Sequence, residues 1–408
     1  MVEDGRYIPG ARAQWAMLGA ALVLGWFSVR TALHKTLVYS APQVAAQLPP
    51  ADGESLAVMA RQRVSGANGE IDDATRALVR QALTREPLLA DPLALAGLDA
   101  ASAQDLPRAE RLMIAARDRD PRMPLVRFWL LDHFVRTGQY DRALDEVGPA
   151  IRLQPDAVTT VMMVLAALAG TREGNDALAR KLAKRPFWET SFFQTAASNT
   201  SPDALLRLLS SMPSANRATD EQRAVFLSLI NAGQGARAYE TWRRFLPPAY
   251  RSRAVGIYDG SFGNWPGAAP FNWVLTNDNV GTTRMIRAGD LPQSTALAVR
   301  YFGSTSGVLA EQYVHVTPGP YTLSLAARSR STGATGGRLS MELRCLRGGE
   351  ALAALPLIPL TAQLQPFSMP VTVPAGCDML RAQLVGSPGE IFSEIEAQVT
   401  GLALVRAD

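Results

Sequence analysis

Residues 125–155 read LVRFWLLDHFVRTGQYDRALDEVGPAIRLQP, and the reading of this stretch decides the fold of the first half of the chain. Leu130, Leu131 and Phe134 recur at helical spacing, so they share one face of a first helix. Gly138 permits a tight turn, Tyr140 opens a second helix, Ala143 and Ala150 let paired helices approach closely, and Pro155 stops the second helix. The pattern recurs. Pro87, Pro121 and Pro155 keep a constant interval, as do Ala82, Ala116 and Ala150, and Ala109 with Ala143. A fixed stride of this length means stacked supersecondary units, each needing a neighbour to bury its apolar face.

The stretch resembles a tetratricopeptide repeat, with Gly138, Tyr140, Ala143, Ala150 and Pro155 as its signature. The resemblance extends over roughly residues 54–246 and is degenerate at both ends. Arg127 stands where that family carries a large aromatic, Gln104 replaces the turn glycine of the preceding copy, and Pro186 breaks the stride. Thr219-Asp220-Glu221-Gln222 has the form of a capping box and Ser201-Pro202-Asp203 that of a helix start. An irregular helical bundle is the alternative to true repeats. A solenoid of hairpins offers a concave face suited to protein partners.

Amino-terminal to the repeats, Ala13 to Val29 carries no charge and lies between Arg12 and Arg30, with Trp15, Trp26 and Phe27 near its ends. Such a run predicts a single membrane anchor over 13–33, with a cleaved signal peptide or a buried helix as alternatives. A tail over 1–12 and a linker over 34–53 flank it.

Near Pro247-Pro248 the helical period ends. Leu297-Val299-Tyr301, Tyr321-Leu323-Leu325, Leu339-Met341-Leu343 and Ile395-Ala397-Val399 each set apolar residues two apart, which is the period of a strand with one buried face. Pro318-Gly319-Pro320, Gly333 to Gly337, Pro374-Ala375-Gly376 and Pro388-Gly389 supply turns. The expected architecture is therefore multidomain α plus β: a transmembrane helix, an α-solenoid over 54–248, and an all-β, jelly-roll-like sandwich over 249–408. Cys345 and Cys377 are the only cysteines, both in the sandwich. They are candidates for a disulfide, which would need an oxidising compartment, or for two separately buried thiols.

The tether, the degenerate repeats, Ile257-Tyr258-Asp259-Gly260, Pro270-Phe271-Asn272-Trp273, Gln312-Tyr313, Pro318-Gly319-Pro320-Tyr321, and Cys345 with Gly376-Cys377 together are similar to membrane-anchored tetratricopeptide proteins of Gram-negative exopolysaccharide systems. That resemblance implies an inner-membrane protein facing the periplasm. Its role would be that of a non-catalytic scaffold for polysaccharide assembly or export, with protein partners and polysaccharide in contact; the alternatives are a carbohydrate-binding protein that recognises glycan through the sandwich, or a carbohydrate-active enzyme.

The net charge of +4 comes almost wholly from arginine, since Lys35, Lys181 and Lys184 are the only lysines. The arginines are scattered among acids, which argues against a nucleic-acid surface. His34, His133 and His315 lie in three different regions, without the ligand spacing of a metal site, and no phosphate loop or nucleophile elbow occurs. No cofactor is expected. Asp259, Asp278, Glu342 and Glu394 are the carboxylates that a glycosidase reading would need, and nothing in the sequence pairs them. Tyr258, Phe262, Trp265, Phe271 and Trp273 cluster where helices give way to strands. They are candidates either for stacking on sugar rings or for packing two domains together.

Overall fold

The computed structural model describes residues 11–47, 52–212, 219–329, 337–349, 351–389 and 393–407, without the side chains of 11–18 and 34. It divides into two compact units, Met1–Val158 and Thr159–Asp408. The division falls inside the stretch read from sequence as one helical domain, so the later helices belong with the sandwich.

The first unit contains α1 (Ala11–Ser40), α2 (Pro42–Ala45), α3 (Gly53–Gly66), α4 (Asp73–Arg85), α5 (Ala90–Ser102), α6 (Leu106–Arg119), α7 (Pro124–Arg136) and α8 (Tyr140–Leu153). Helices α3 and α4, α5 and α6, and α7 and α8 pack as successive pairs. The recurrence seen in sequence is also a recurrence of geometry. Ala82, Ala116 and Ala150 are each fully buried near a helix end, and each carbonyl accepts the amide of the residue that closes its helix, Glu86, Asp120 and Gln154. Gly138 turns with φ +72°, and Gln104 takes the same left-handed conformation at φ +61° in the preceding pair. A non-glycine residue there bears a conformational cost of about 1–2 kcal/mol, so the turn geometry is imposed by the packing of the pair and not by residue choice.

Among the described residues no helix is long and apolar enough to cross a membrane. The anchor expected over 13–33 is corrected on that ground. The uncharged run of α1, from Ala13 to Val29, is about 25 Å long against a hydrocarbon core of about 30 Å. The helix then continues through Arg30 to Lys35, whose ammonium pairs with Glu54 of α3 at 2.9 Å. The inner-membrane, periplasm-facing placement that depended on the anchor is withdrawn with it. The expected linker over 34–53 contains the end of α1, all of α2 and the capping Asp52, which accepts the Ser55 amide at the start of α3.

The second unit opens with α9 (Val158–Ala169), α10 (Arg172–Leu182), α11 (Glu189–Asn199), α12 (Pro202–Ser211), α13 (Thr219–Asn231), α14 (Gly235–Phe245) and α15 (Pro248–Arg251). Ser201 caps α12 through the Ala204 amide, with Pro202 in its first turn. Glu189 of α11 and Glu221 of α13 are both buried, and Arg185 reaches each at 3.1 Å. Burial and then the Glu221 charge push the Glu189 carboxyl up to about 7, against partial relief from Arg185. The folded chain therefore holds a proton that an unfolded one releases near its ordinary 4.5. The stability from this group is fully present below that ordinary value and is lost as pH rises through about 7. Denaturant midpoints should fall between mildly acidic and mildly alkaline buffer, and Glu189→Gln should flatten that slope. Parallel curves for the two proteins would contradict the assignment.

The sandwich has β1 (Val274–Leu275), β2 (Gly281–Arg287), β3 (Thr295–Tyr301), β4 (Gly307–His315), β5 (Gly319–Ser329), β6 (Arg338–Cys345), β7 (Ala351–Pro356), β8 (Gln365–Val373), β9 (Met379–Ser387) and β10 (Ile395–Arg406). They form two five-stranded antiparallel sheets, ordered β1-β4-β9-β6-β7 and β2-β3-β10-β5-β8. One core fills the space between them, with Leu297, Val299, Leu323 and Val399 from one sheet meeting Leu309, Met341, Leu343 and Leu384 from the other. These are the alternating residues that mark the strands in sequence. Cys345, at the end of β6, is bonded to Cys377, in the turn before β9. The expected turn at Gly333 to Gly337 lies outside the described residues save for Gly337.

Candidate functional site

If Leu297, Val299 and Tyr301 point into the core, then Ala298 and Arg300 point outward, and the same parity applies along each strand of the second sheet. Register then carries these outward residues into rows. Thr282 of β2 is opposite Arg300 of β3, which is opposite Glu396 of β10. One step along, Arg284 is opposite Ala298, Ala298 opposite Gln398, and Gln398 opposite Arg328 of β5. The result is a groove of about 470 Å³ across four neighbouring strands, closed at one side by Asn277 from the turn between β1 and β2.

The groove wall is held by its own polar contacts. Arg328 donates from Nε and Nη2 to Gln398 Oε1, at 2.8 and 2.6 Å, and pairs with Asp290 at 2.7 Å. Arg300 binds Glu394 at 2.7 and 3.0 Å and lies 3.9 Å from Glu396. The hydrogen bond to Glu394, and then the Glu394 charge, hold the Arg300 guanidinium above its ordinary value. Small Ala298 leaves the centre of the floor open. Such a surface offers donors and acceptors already fixed in place, which suits a ligand rich in hydroxyl groups.

The five aromatics singled out in the sequence lie elsewhere. Tyr258 and Phe271 are buried with Trp242 of α14, at ring separations of 4.9 and 5.4 Å, and Tyr239 and Phe226 complete the cluster around Phe271. Phe262 and Trp273 are buried in the sandwich core, 5.1 Å apart. Trp265 is half-buried, edge-on to Tyr258, with the Arg253 guanidinium 5.2 Å from its ring centre. Four of the five are closed to a ligand, and Tyr258 and Phe271 pack the segment before β1 against α14.

Asp259 is fully buried and organises the loop that carries these rings. Its carboxylate accepts the amides of Gly263 at 2.7 Å and Trp265 at 2.9 Å. Burial raises its pKa and these hydrogen bonds oppose the rise. The remaining carboxylates are not brought to it. Asp278 accepts the Val280 amide in a turn, Glu342 pairs with Arg344 on the outer face of the first sheet, and Glu394 pairs with Arg300 beside the groove of the second. Of the histidines with described side chains, His133 contacts Glu110 at 3.0 Å and His315 stacks on Tyr239. Among the described residues no group of His, Cys, Asp or Glu is placed to hold a metal ion.

Sequence reasoning missed Arg284, Arg300, Arg328, Glu396 and Gln398. The signal was present as the opposite parity of the strands already recognised, where Thr282, Arg284, Ala298, Arg300, Glu396 and Gln398 alternate with the buried set. Which outward residues meet one another is decided by strand order.

No family model matches the sequence, and no curated protein matches it. Among solved structures, the chain is similar to the enzymatically active domain of bacteriophage CBA120 tailspike protein 4, at 17% identity over 41% of this chain, with a TM-score of 0.28. It spans only 23% of that tailspike chain. It is also similar to TmCBM61 in complex with β-1,4-galactotriose, at 12% identity over 37% of this chain and 94% of that one, with a TM-score of 0.26. A third likeness is to the C-terminal family 22 carbohydrate binding module of Clostridium thermocellum Xyn10B, at 14% identity over 38% of this chain and 96% of the module, with a TM-score of 0.28. At these scores the likeness identifies neither a family nor a ligand.

Proposed function

We propose that the carboxyl-terminal sandwich binds a glycan in the groove of its second sheet, and that this is a binding site and not a hydrolytic one. The observation that carries the reading is the continuous row of outward polar side chains, Arg284, Gln398 and Arg328, around the open floor at Ala298. Sugar hydroxyls both donate and accept, and Arg, Gln and Glu side chains match them in pairs. Pairing of Arg328 with Gln398 before a ligand arrives lowers the entropy lost on binding. Hydrolysis is disfavoured by the same contacts. A glycosidase needs two carboxyl groups free to act across the glycosidic bond, whereas Glu394 beside the groove is paired with Arg300 at 2.7 Å.

The test is affinity electrophoresis of the full chain through gels containing a panel of soluble polysaccharides, followed by calorimetry on whichever retards it. Gln398→Ala removes the central carboxamide and frees Arg328, and should weaken binding about 5–10-fold, the worth of one to two hydrogen bonds. Retardation by none of the panel, or an unchanged affinity in the variant, would remove the groove from consideration. Release of reducing ends from a bound polysaccharide would replace binding by catalysis.

The helical pairs of the first unit support a second reading, a scaffold for protein partners of a polysaccharide assembly, as the sequence resemblance implies. Its support is the recurrence of buried alanines and left-handed turns at Ala82, Ala116 and Ala150 and at Gln104 and Gly138. Site-specific photocrosslinking from exposed positions on α3 to α8 tests it. Crosslinks to no protein, with the sandwich still binding glycan, would leave the helices as support only.

A further inference from the structure

We infer that the groove takes an acidic glycan, with a sugar carboxylate seated on Arg284; this rests on the glycan-binding reading above. Two of the three guanidinium groups at the groove are already committed. Arg328 is 13% exposed and spends its donors on Gln398 and Asp290, and Arg300 spends its own on Glu394. Arg284 is exposed, and among the described residues it makes no hydrogen bond or ion pair. Asp290 pairs with Arg328, and Glu394 and Glu396 share Arg300, so Arg284 is the guanidinium at the groove left without an acid partner among the described residues.

The geometry sets what that charge meets. Arg284 and Gln398 flank Ala298 on the two neighbouring strands, and strands stand about 4.8 Å apart, so the two side chains rise from positions about 10 Å apart. One sugar ring with its substituents spans that distance. A planar carboxylate on such a ring accepts two parallel N–H bonds from a guanidinium, a geometry that a hydroxyl or an ammonium ligand cannot use. Gln398 on the far side is left to the ring hydroxyls. No aromatic side chain is among the described residues lining the groove, so stacking on a sugar face does not supply the affinity. Charge-assisted hydrogen bonding does.

The experiment compares three oligosaccharides of equal length on the full chain by calorimetry: oligogalacturonate, its methyl ester, and a neutral oligogalactoside. The acid should bind about tenfold more tightly than the ester or the neutral sugar, and the preference should shrink in high salt. In Arg284→Ala the ratio of acid to neutral affinity should collapse to about one, and Arg284→Lys should keep part of it. Circular dichroism confirms that the exposed substitution leaves the fold intact. A preference that survives in Arg284→Ala, or an ester that binds as tightly as the acid, overturns the inference. Equal binding of the neutral sugar overturns it too but leaves the glycan reading standing. Binding of none of the three sinks both, and equally tight binding of inorganic polyphosphate reduces the groove to a charged patch.

Discussion

Replacing Gln312 by alanine is expected to lower the stability of the second unit by about 3 kcal/mol, the summed cost of two buried backbone groups left without partners. Gln312 is 1% exposed on the inner face of β4. Its Nε2 donates to the Tyr258 carbonyl at 2.8 Å, and its Oε1 accepts the Tyr258 amide at 2.9 Å. The carboxamide thus stands in for one residue of a neighbouring strand, holding an irregular segment against a sheet. Alanine leaves both groups of Tyr258 orphaned in an apolar setting and opens a small cavity besides. Denaturant unfolding of the full chain, followed by the fluorescence of the Trp242, Trp265 and Trp273 cluster, reads the loss. A change below about 1 kcal/mol would mean that water replaces the side chain. The consequence should reach the groove. The same segment is tied to β3 through the Thr295 hydroxyl, which donates to the Ser261 carbonyl at 2.8 Å, and β3 carries Ala298 and Arg300.

Opening the bridge between Cys345 and Cys377 is expected to cost about 2–4 kcal/mol, because the covalent link shortens the unfolded chain between two residues 32 apart. The enclosed segment contains β7 and β8, which belong to different sheets and flank the core on opposite sides. Closing it therefore limits the freedom of a connection that must cross the sandwich. The double variant Cys345→Ala, Cys377→Ala should unfold at lower denaturant than the native chain, and reductant should move the native chain to match it. Coincident transitions for all three would show that the reduced chain is already constrained. Glycan affinity measured well below the unfolding transition should be unaffected, since the groove is built on β2, β3, β10 and β5, away from both cysteines.

The helical pairs were legible because a helix writes its buried face into local spacing. Leu130, Leu131 and Phe134 identify α7, and Ala143 and Ala150 identify α8, with no knowledge of distant residues. The strands were legible for the same reason, as Leu339, Met341, Leu343 and Cys345 alternate along β6. The apolar run near the amino terminus misled because an uncharged stretch flanked by arginines and aromatics was read as an anchor, although no described helix is long and apolar enough to span a membrane. As a helix it continues past Val29 through two cations, and Lys35 of its last turns is engaged by Glu54. The aromatic cluster left two readings open. Density of rings in sequence cannot distinguish an exposed platform from a packed seam, and Tyr258 and Phe271 are committed to Trp242, a contact between α14 and residues well beyond it.

Local period thus determined where helices and strands lie, which of their residues are buried, and that two cysteines share one sandwich. Tertiary structure alone decided that Arg284, Ala298, Gln398 and Arg328 stand in one row, because β3 lies between β2 and β10, and β10 between β3 and β5. The physical reason is that burial has a short period, set by the geometry of a few residues of backbone. Strand order is set by hydrogen bonding and core packing between segments far apart in the chain, and no short window of residues contains it.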